Sequence, residues 1–390
     1  MTMSSVSSSS SPSSSAAASS SSSGATLTTT TISTGEEQQQ QQQSSSSSSS
    51  TAASGVLGAK KWHDNEVSLD QLKNQTIAVI GYGIQGRAQA SNMKDSGMNV
   101  IVGLRKNGKT WSMAENDGHK VMEVSKAAEN ADIIHILIPD MEQTDTYNKE
   151  IAPYVTECKA LCFSHGAAIH WKWIVPPKNV DVLMVAPKGP GQRVRELYVD
   201  GFGTPSLVAV YQDYTNKAWD RVLAIAKGIG STRPGVIKTT FKEEVETDWF
   251  GEQVDLCGGA HALVMSAFET LVEAGYQPEV AYYECLHELK LITDLIHKYG
   301  ITGMYNRVSE TARYGGLTRG PHVIGKDSKN KMKQVLKEIQ SGQFAEEWVS
   351  IYKKEGKNSF GRYMTEIENH QVEKVGKEMR KMMWPNESNI

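Results

Sequence analysis

Six short apolar runs, each parted from the next by a helix-length stretch, limit what this chain can fold into. They cover 76–80, 99–104, 132–138, 160–164, 181–186 and 206–211 and are rich in Val, Ile and Leu. Continuous apolar strands that alternate with helices indicate a parallel sheet covered on both faces. After about Thr240 the strand signals stop. The stretches 244–273, 278–299, 305–314, 328–341 and 345–355 read as helices, with Gly275, Gly300 and Gly342 placed where C-terminal caps belong. The fold class is therefore α/β: a Rossmann-type parallel-sheet domain over 59–240, then an all-α domain over 241–355. Residues 356–390 read as a polar, Lys-rich extension with one amphipathic stretch near 372–383.

Residues 1–58 stand apart. They are Ser, Thr, Ala and Gln with almost no large apolar side chains, and such a segment cannot bury enough surface to offset its ordering entropy. The tail is expected to be disordered. It is Ser/Thr-rich and acid-poor like a plastid transit peptide, but it has no Arg and its first Lys is Lys60. A cytoplasmic protein with a low-complexity extension is the reading, with plastid or mitochondrion as the alternative. The formal net charge of -3 gives no basis for binding nucleic acid or a membrane surface. No apolar run approaches the roughly 20 residues of a membrane span. Cys158, Cys162, Cys257 and Cys285 lack zinc or CxxC spacing and are expected to be buried free thiols.

The first run leads into Gly81-Tyr82-Gly83-Ile84-Gln85-Gly86. A strand, a G-x-G-x-x-G turn and a following helix form the context that dinucleotide binding requires. Gly81 permits the tight turn, Gly83 lets backbone approach a pyrophosphate, and Gly86 allows close helix–strand packing. The helix N-terminus then receives the phosphates. An NAD enzyme usually has Asp or Glu at the end of the second strand; this chain has Arg105, Lys106, Lys109 and Thr110. Cations and a hydroxyl suit a 2′-phosphate, which favours NADPH over NADH. The competing readings are a glycine-rich turn without a ligand and an ordinary basic surface loop.

Two acidic pairs carry the chemistry. Asp248 and Glu252, and Glu284 and Glu288, are each spaced i,i+4 on a helix, which puts both carboxylates on one face. On the second helix that face also holds Leu291 and Leu295, away from the polar side made by His287, Lys290, Asp294 and Lys298. Carboxylates on an apolar stripe are costly unless a cation meets them, and a hard divalent ion such as Mg²⁺ suits oxygen donors. His165 and Lys188 each follow an apolar strand, at the strand ends where an open α/β sheet binds ligands. Lys188 opens the Lys-Gly-Pro-Gly turn that ends at Gly191, a residue assigned to the cofactor site.

Taken in order, 81–87 (Gly-Tyr-Gly-Ile-Gln-Gly-Arg), Ser164-His165-Gly166, 186–191 (Ala-Pro-Lys-Gly-Pro-Gly), 247–253 (Thr-Asp-Trp-Phe-Gly-Glu-Gln), 284–290 (Glu-Cys-Leu-His-Glu-Leu-Lys) and 309–312 (Ser-Glu-Thr-Ala) resemble the motifs of ketol-acid reductoisomerases. The form is the short, class I one, most similar to archaeal and bacterial members. The resemblance runs from about Asp64 to Glu355 and leaves out the tail and the last 35 or so residues. Departures stand at Ala167, Gln192 and Trp249, none of them a proposed ligand.

The resemblance implies roles residue by residue. Asp248 and Glu252 from one subunit, with Glu284 and Glu288 from the other, hold two Mg²⁺ ions. Ser309 of the partner holds the substrate carboxylate. His165 and Lys188 lie near the metals and the nicotinamide, and Glu288 and Lys188 handle protons or developing charge. The helical domain is a knotted fold that dimerises, so the site is shared in a homodimer, and members of this form also build dodecamers. The implied reaction moves an alkyl group in a 2-hydroxy-3-oxo acid, 2-acetolactate or 2-aceto-2-hydroxybutyrate. NADPH then reduces the new ketone to the 2,3-dihydroxy acid, a step of valine and isoleucine biosynthesis. Two other readings compete: a Rossmann-type hydroxyacid dehydrogenase without a metal site, and a non-catalytic nucleotide sensor whose acids make only salt bridges.

Overall fold

The computed structural model describes residues 58–386. The Ser/Gln-rich tail and its targeting readings lie outside the described residues, save for Gly58. The strands are β1 (Lys61–Trp62), β2 (Thr76–Ile80), β3 (Asn99–Leu104), β4 (Lys120–Glu123), β5 (Ile133–Ile136), β6 (Ala160–Phe163), β7 (Asp181–Pro187), β8 (Ser206–Gln212) and β9 (Val236–Lys238). They form one sheet in the order β1-β9-β8-β7-β6-β5-β2-β3-β4. All six expected strands are present. The sheet is mixed, however: β8 runs antiparallel to β7, and β1 antiparallel to β9. The parallel pairs are the continuous block β7-β6-β5-β2-β3-β4 and, apart from it, β8 with β9.

Helices α1 (Ile84–Asp95), α2 (Trp111–Asn116), α3 (Val124–Asn130), α4 (Asp140–Thr146), α5 (Ala167–His170), α6 (Gly191–Val199) and α7 (Ala218–Gly228) accompany the sheet. Period-two alternation sends Ile77 and Val79 of β2 into the apolar layer under α1 and α7, while Ala78 and Ile80 enter the layer on the other face. All four are fully buried, and each large one contributes about 1.5–3 kcal/mol of burial. Strand order reverses between β2 and β5. An open α/β sheet has its ligand crevice at the C-terminal ends of such a strand pair, and the Gly81 turn lies there.

The helical half comprises α8 (Phe241–Gly251), α9 (Gly258–Glu273), α10 (Pro278–Tyr282), α11 (Glu288–Tyr305), α12 (Glu310–Val323), α13 (Lys326–Gln340), α14 (Gln343–Glu355), α15 (Gly361–Asn369) and α16 (Gln371–Met383). Two wide π turns, Glu252–Leu256 and Tyr283–His287, interrupt it where the sequence suggests unbroken α-helix. Gly300 leaves helical space at φ 72 and ψ 172 and parts α11 into two helices, where a C-terminal cap was expected. Glycine tolerates this conformation without a Cβ clash. The helix expected from 305 instead starts at Glu310, because the Ser309 hydroxyl accepts from Ala312 N at 3.1 Å and caps α12. The stretch near 372–383 is α16, whose Val372 is buried with Tyr282 and Phe268. The four cysteines are free, but only Cys162 is buried: Cys158 and Cys257 are exposed and Cys285 is half-buried. No helix among the described residues is long and apolar enough to cross a membrane.

Candidate active site

The glycine turn after β2 has the geometry that its spacing suggests. Gly81 sits at φ 101, and a Cβ there would lie 2.7 Å from Ile138 Cγ2. A Cβ on Gly86 would meet the Gly81 carbonyl oxygen at 2.3 Å, so helix and strand touch here. A Cβ on Gly83 would find nothing within 4 Å, which leaves its backbone free to meet a ligand. A Cβ on Gly191 would stand 2.4 Å from the Ile84 carbonyl oxygen, so the N-terminus of α6 lies against that of α1. Two helix N-termini thus converge beside Gly83, a donor-rich place for phosphates. A cavity of about 810 Å³ opens there and is lined by Gly83, Ile84, Thr110, Gly191 and Gln192. These features fit a dinucleotide.

Two expected cofactor residues do other work with their side chains. The Tyr82 hydroxyl donates to Asp117 Oδ2 at 2.8 Å, and Arg87 grips the same carboxylate through Nε at 2.8 Å and Nη2 at 3.1 Å. Burial, and then Asp117, push the Tyr82 phenol up to about 12. Tyr82 therefore braces the loop from beneath. Gln85 donates from Nε2 to the Gly189 carbonyl at 3.0 Å and ties the loop to the Lys188 turn. Arg105, Lys106 and Lys109 are exposed, and Thr110 is half-buried at the cavity. This leaves three cations free to meet a phosphate.

At the ends of β6 and β7 the chain brings His165 and Lys188 onto α8. Lys188 Nζ lies 3.0 Å from Glu244 Oε1 and 2.8 Å from Asp248 Oδ1. His165 Nδ1 lies 3.0 Å from Glu244 Oε2 and 3.5 Å from Asp248 Oδ2. Gly166 N also donates to Glu244 Oε2, at 3.0 Å. Glu244 is the hub of this cluster, and sequence reasoning missed it. It is 1% exposed and stands one helical turn before Asp248, on the same face. That spacing, which extends the Asp248–Glu252 pair backwards, was the available signal.

The electrostatics follow from the contacts. Burial alone would raise the Glu244 pKa, but His165 and Lys188 outweigh it and hold the carboxyl below its ordinary value. Burial alone would lower His165, but the bond and charge of Glu244, with Asp140 and Asp248, raise it to about 9. Lys188 is likewise raised, because Glu244 and Asp248 overcome its burial. Glu252 is different. Partial enclosure and then the Asp248 charge raise its pKa, and among the described residues no ion pair or hydrogen bond satisfies its carboxylate. Asp140, at the start of α4, is also raised, first by burial and then by Glu244 and Asp248. Crowded carboxylates with one unanswered member fit a cation.

Within one chain, the side chains that come together as a potential metal group are His165, Glu244 and Asp248, with ligand atoms within 4.8 Å of one another. Glu244 already serves Lys188, His165 and Gly166 N, and Asp248 shares Lys188, so among the described residues the carboxylate left without a partner for an ion is Glu252, one turn from Asp248. Glu284 and Glu288 do not join the cluster; both are exposed, joined through the π turn Tyr283–His287. Their helix face is wet in one chain, contrary to the sequence expectation, since Leu291 is 47% exposed. Ser309 caps α12 and likewise stands outside the cluster.

Trp249 seats α8. Its ring stacks on Trp171 with centroids 6.1 Å apart, meets Phe344 edge-on at 5.2 Å and lies 5.8 Å from His165. Val245 and Trp249 bury with Ala167, Ile339 and Ala345, so small Ala167 and large Trp249 are complementary. This packing sets the height of Asp248 against Lys188.

Comparison with known proteins accounts for both halves. Residues 71–235 match the family described as acetohydroxy acid isomeroreductase, NADPH-binding domain, and residues 241–384 match ketol-acid reductoisomerase, C-terminal domain. The likeness therefore extends past Glu355 through α15 and α16. The ketol-acid reductoisomerase (NADP(+)) of Nitrosopumilus maritimus is 67% identical over 327 residues, covering 84% of this chain and 98% of that one. That of Methanocaldococcus jannaschii is 58% identical over 323 residues, covering 83% and 98%. A solved structure of an NADH-preferring ketol-acid reductoisomerase from an uncultured archaeon superposes with a TM-score of 0.81 at 46% identity, over 83% of this chain and 98% of that one. Neither the metal-free dehydrogenase nor the sensor reading accounts for a match in both halves. The chain belongs to the ketol-acid reductoisomerase family.

Proposed function

We propose that the cluster around Lys188 carries out the family's two steps on 2-acetolactate or 2-aceto-2-hydroxybutyrate, within valine and isoleucine biosynthesis. The observation that carries this reading is Lys188 Nζ held by both Glu244 and Asp248 at the strand ends beside the dinucleotide turn. Asp248 and Glu252 would hold two Mg²⁺ ions together with Glu284 and Glu288 of a second copy. When bound, those ions polarise the substrate's hydroxyl and carbonyl oxygens and bind the substrate in one orientation.

The residues then manage protons and charge. As the alkyl group leaves C2 for C3, the C2 hydroxyl gives up its proton and becomes a carbonyl, and the C3 oxygen takes up a proton. Glu288 of the second copy is the proposed acceptor of that first proton. Lys188 spends two of its three N–H groups on Glu244 and Asp248, which leaves one for a substrate oxygen. Bound NADPH would supply the hydride, which together with a proton reduces the C2 carbonyl to the alcohol. His165, under the Trp249 ring, holds Glu244 in place, and Ser309 of the second copy would reach the substrate carboxylate.

The exposed face of α12 supports a second copy. Among the described residues, no side chain of Glu310–Val323 is buried, while Tyr314, Leu317 and Val323 are 67%, 56% and 63% exposed. A lone helix of this length is marginal in water, and a second copy would cover that face and bring Glu284 and Glu288 to Asp248. The archaeal relatives support the cytoplasm as its compartment. The test is NADPH oxidation with 2-acetolactate, with and without Mg²⁺. Turnover that needs Mg²⁺ and is lost in Asp248→Asn supports the reading. Full turnover after chelation contradicts it.

A further inference from the structure

A polar chain crosses the core beneath the site. His135 of β5 and Gln89 of α1 are both fully buried. His135 Nε2 lies 2.8 Å from Gln89 Oε1. Gln89 Nε2 donates to Gln85 Oε1 and to Ser164 Oγ, both at 3.0 Å. Gln85 Nε2 in turn donates to the Gly189 carbonyl at 3.0 Å.

The direction of this chain is fixed from its far end. The Gly189 carbonyl can only accept, so Gln85 must present its amide nitrogen there and its oxygen to Gln89. Gln89 must then offer nitrogen to Gln85 and oxygen to His135, and His135 must carry its proton on Nε2. That leaves His135 Nδ1 as a buried atom without a partner. A strand position between Ile134 and Ile136 would be filled at lower cost by Val or Ile. The arrangement retains that cost, and it joins three segments: the dinucleotide turn through Gln85, the His165 loop through Ser164, and the Lys188 turn through Gly189.

We infer that Gln89 is a positioning residue that holds the His165 loop and the Lys188 turn in register with the dinucleotide turn, so that cofactor binding orders both. This rests on the function proposed above. A network whose every amide group is satisfied moves as a unit, and loss of its central member frees the segments from one another.

The test is amide hydrogen exchange of the full chain with and without NADPH, beside steady-state kinetics. In the native chain, NADPH is expected to slow exchange at 81–87, 164–167 and 188–191 together. In Gln89→Met, slowing at 81–87 persists while slowing at 164–167 and 188–191 falls at least ~10-fold. The same variant loses kcat at least ~10-fold with KM for NADPH changed less than ~3-fold, with kcat counted per titrated NADPH site so that unfolded protein does not enter it. Unchanged protection in all three segments, with kcat within about twofold, overturns the inference. If Gln89→Met fails to fold, the half-buried ends decide: Gln85→Met must uncouple 188–191 alone and Ser164→Ala 164–167 alone, and unchanged protection in both overturns it. The exchange readout needs no turnover. A native chain inactive on acetolactate would therefore sink the functional reading and still report on Gln89.

Discussion

Lys188 Nζ and Asp248 Oδ1 lie 2.8 Å apart, joining the end of β7 to the middle of α8. The pair fixes a cation beside carboxylates that are themselves proposed to bind metal. Lys188→Met is expected to lower kcat at least ~100-fold. NADPH affinity, followed by cofactor fluorescence, should change less than about threefold, because the dinucleotide turn is built from other residues. Unchanged turnover would remove Lys188 from the chemistry.

Glu244 is the buried counter-charge for both His165 and Lys188. Glu244→Gln leaves two cations with one fewer anion and should destabilise the metal-free protein by about 2 kcal/mol, a buried-pair value discounted for the partial exposure of Lys188. Urea unfolding measures this. Native stability with native turnover would show that Asp248 alone suffices.

The seat of α8 is open to the same kind of check. Trp249→Ala removes a ring packed against Trp171 and Phe344 and should cost about 3–5 kcal/mol. Calorimetry should show the loss, and titration should show weaker Mg²⁺ binding as Asp248 and Glu252 lose their fixed height.

How much of this was legible in the sequence depended on what each feature is made of. The glycine turn, β2, β3 and the Lys188 turn were readable, because apolar runs and tight turns are local properties. Strand direction is not local. The run 206–211 looks like its neighbours, yet β8 lies antiparallel to β7. β1, β4 and β9 are two to four residues long and partly exposed, too short for periodicity to register. Glu244 was hidden in the acid-rich run Glu243-Glu244-Val245-Glu246, where composition does not say which acid turns inward. The wet face of Glu284 and Glu288 was missed for the opposite reason. Helical periodicity shows that a face is apolar, but not whether this chain or another copy covers it.

His135 makes a pH prediction. Burial pushes its pKa down to about 4, so the folded chain keeps the ring neutral while the unfolded chain takes up a proton near the ordinary value of about 6.5. The unfolded state binds more protons in that window, so stability falls as pH drops from about 6.5 to about 4, by up to about 3 kcal/mol. His135→Gln should lose this component. Parallel stability curves for the two proteins over that range would contradict the assignment.

Cofactor choice can be read from the loop after β3. Arg105 and Lys106 are exposed beyond its end. Replacing both with Asp should raise KM for NADPH at least ~10-fold and leave KM for NADH within about threefold, since only the former carries the 2′-phosphate. Equal losses with both cofactors would mean that the loop does not read that phosphate.

The most direct test of the shared site is complementation between two inactive variants. One carries Asp248→Asn with Glu252→Gln, the other Glu284→Gln with Glu288→Gln. When mixed, dissociated and reassembled, half the dimers are hybrids with one intact site of two, so NADPH oxidation with 2-acetolactate and Mg²⁺ should return to about a quarter of the native rate. A mixture as inactive as its parents, with hybrid dimers confirmed by mass, would show that the four carboxylates do not meet across subunits.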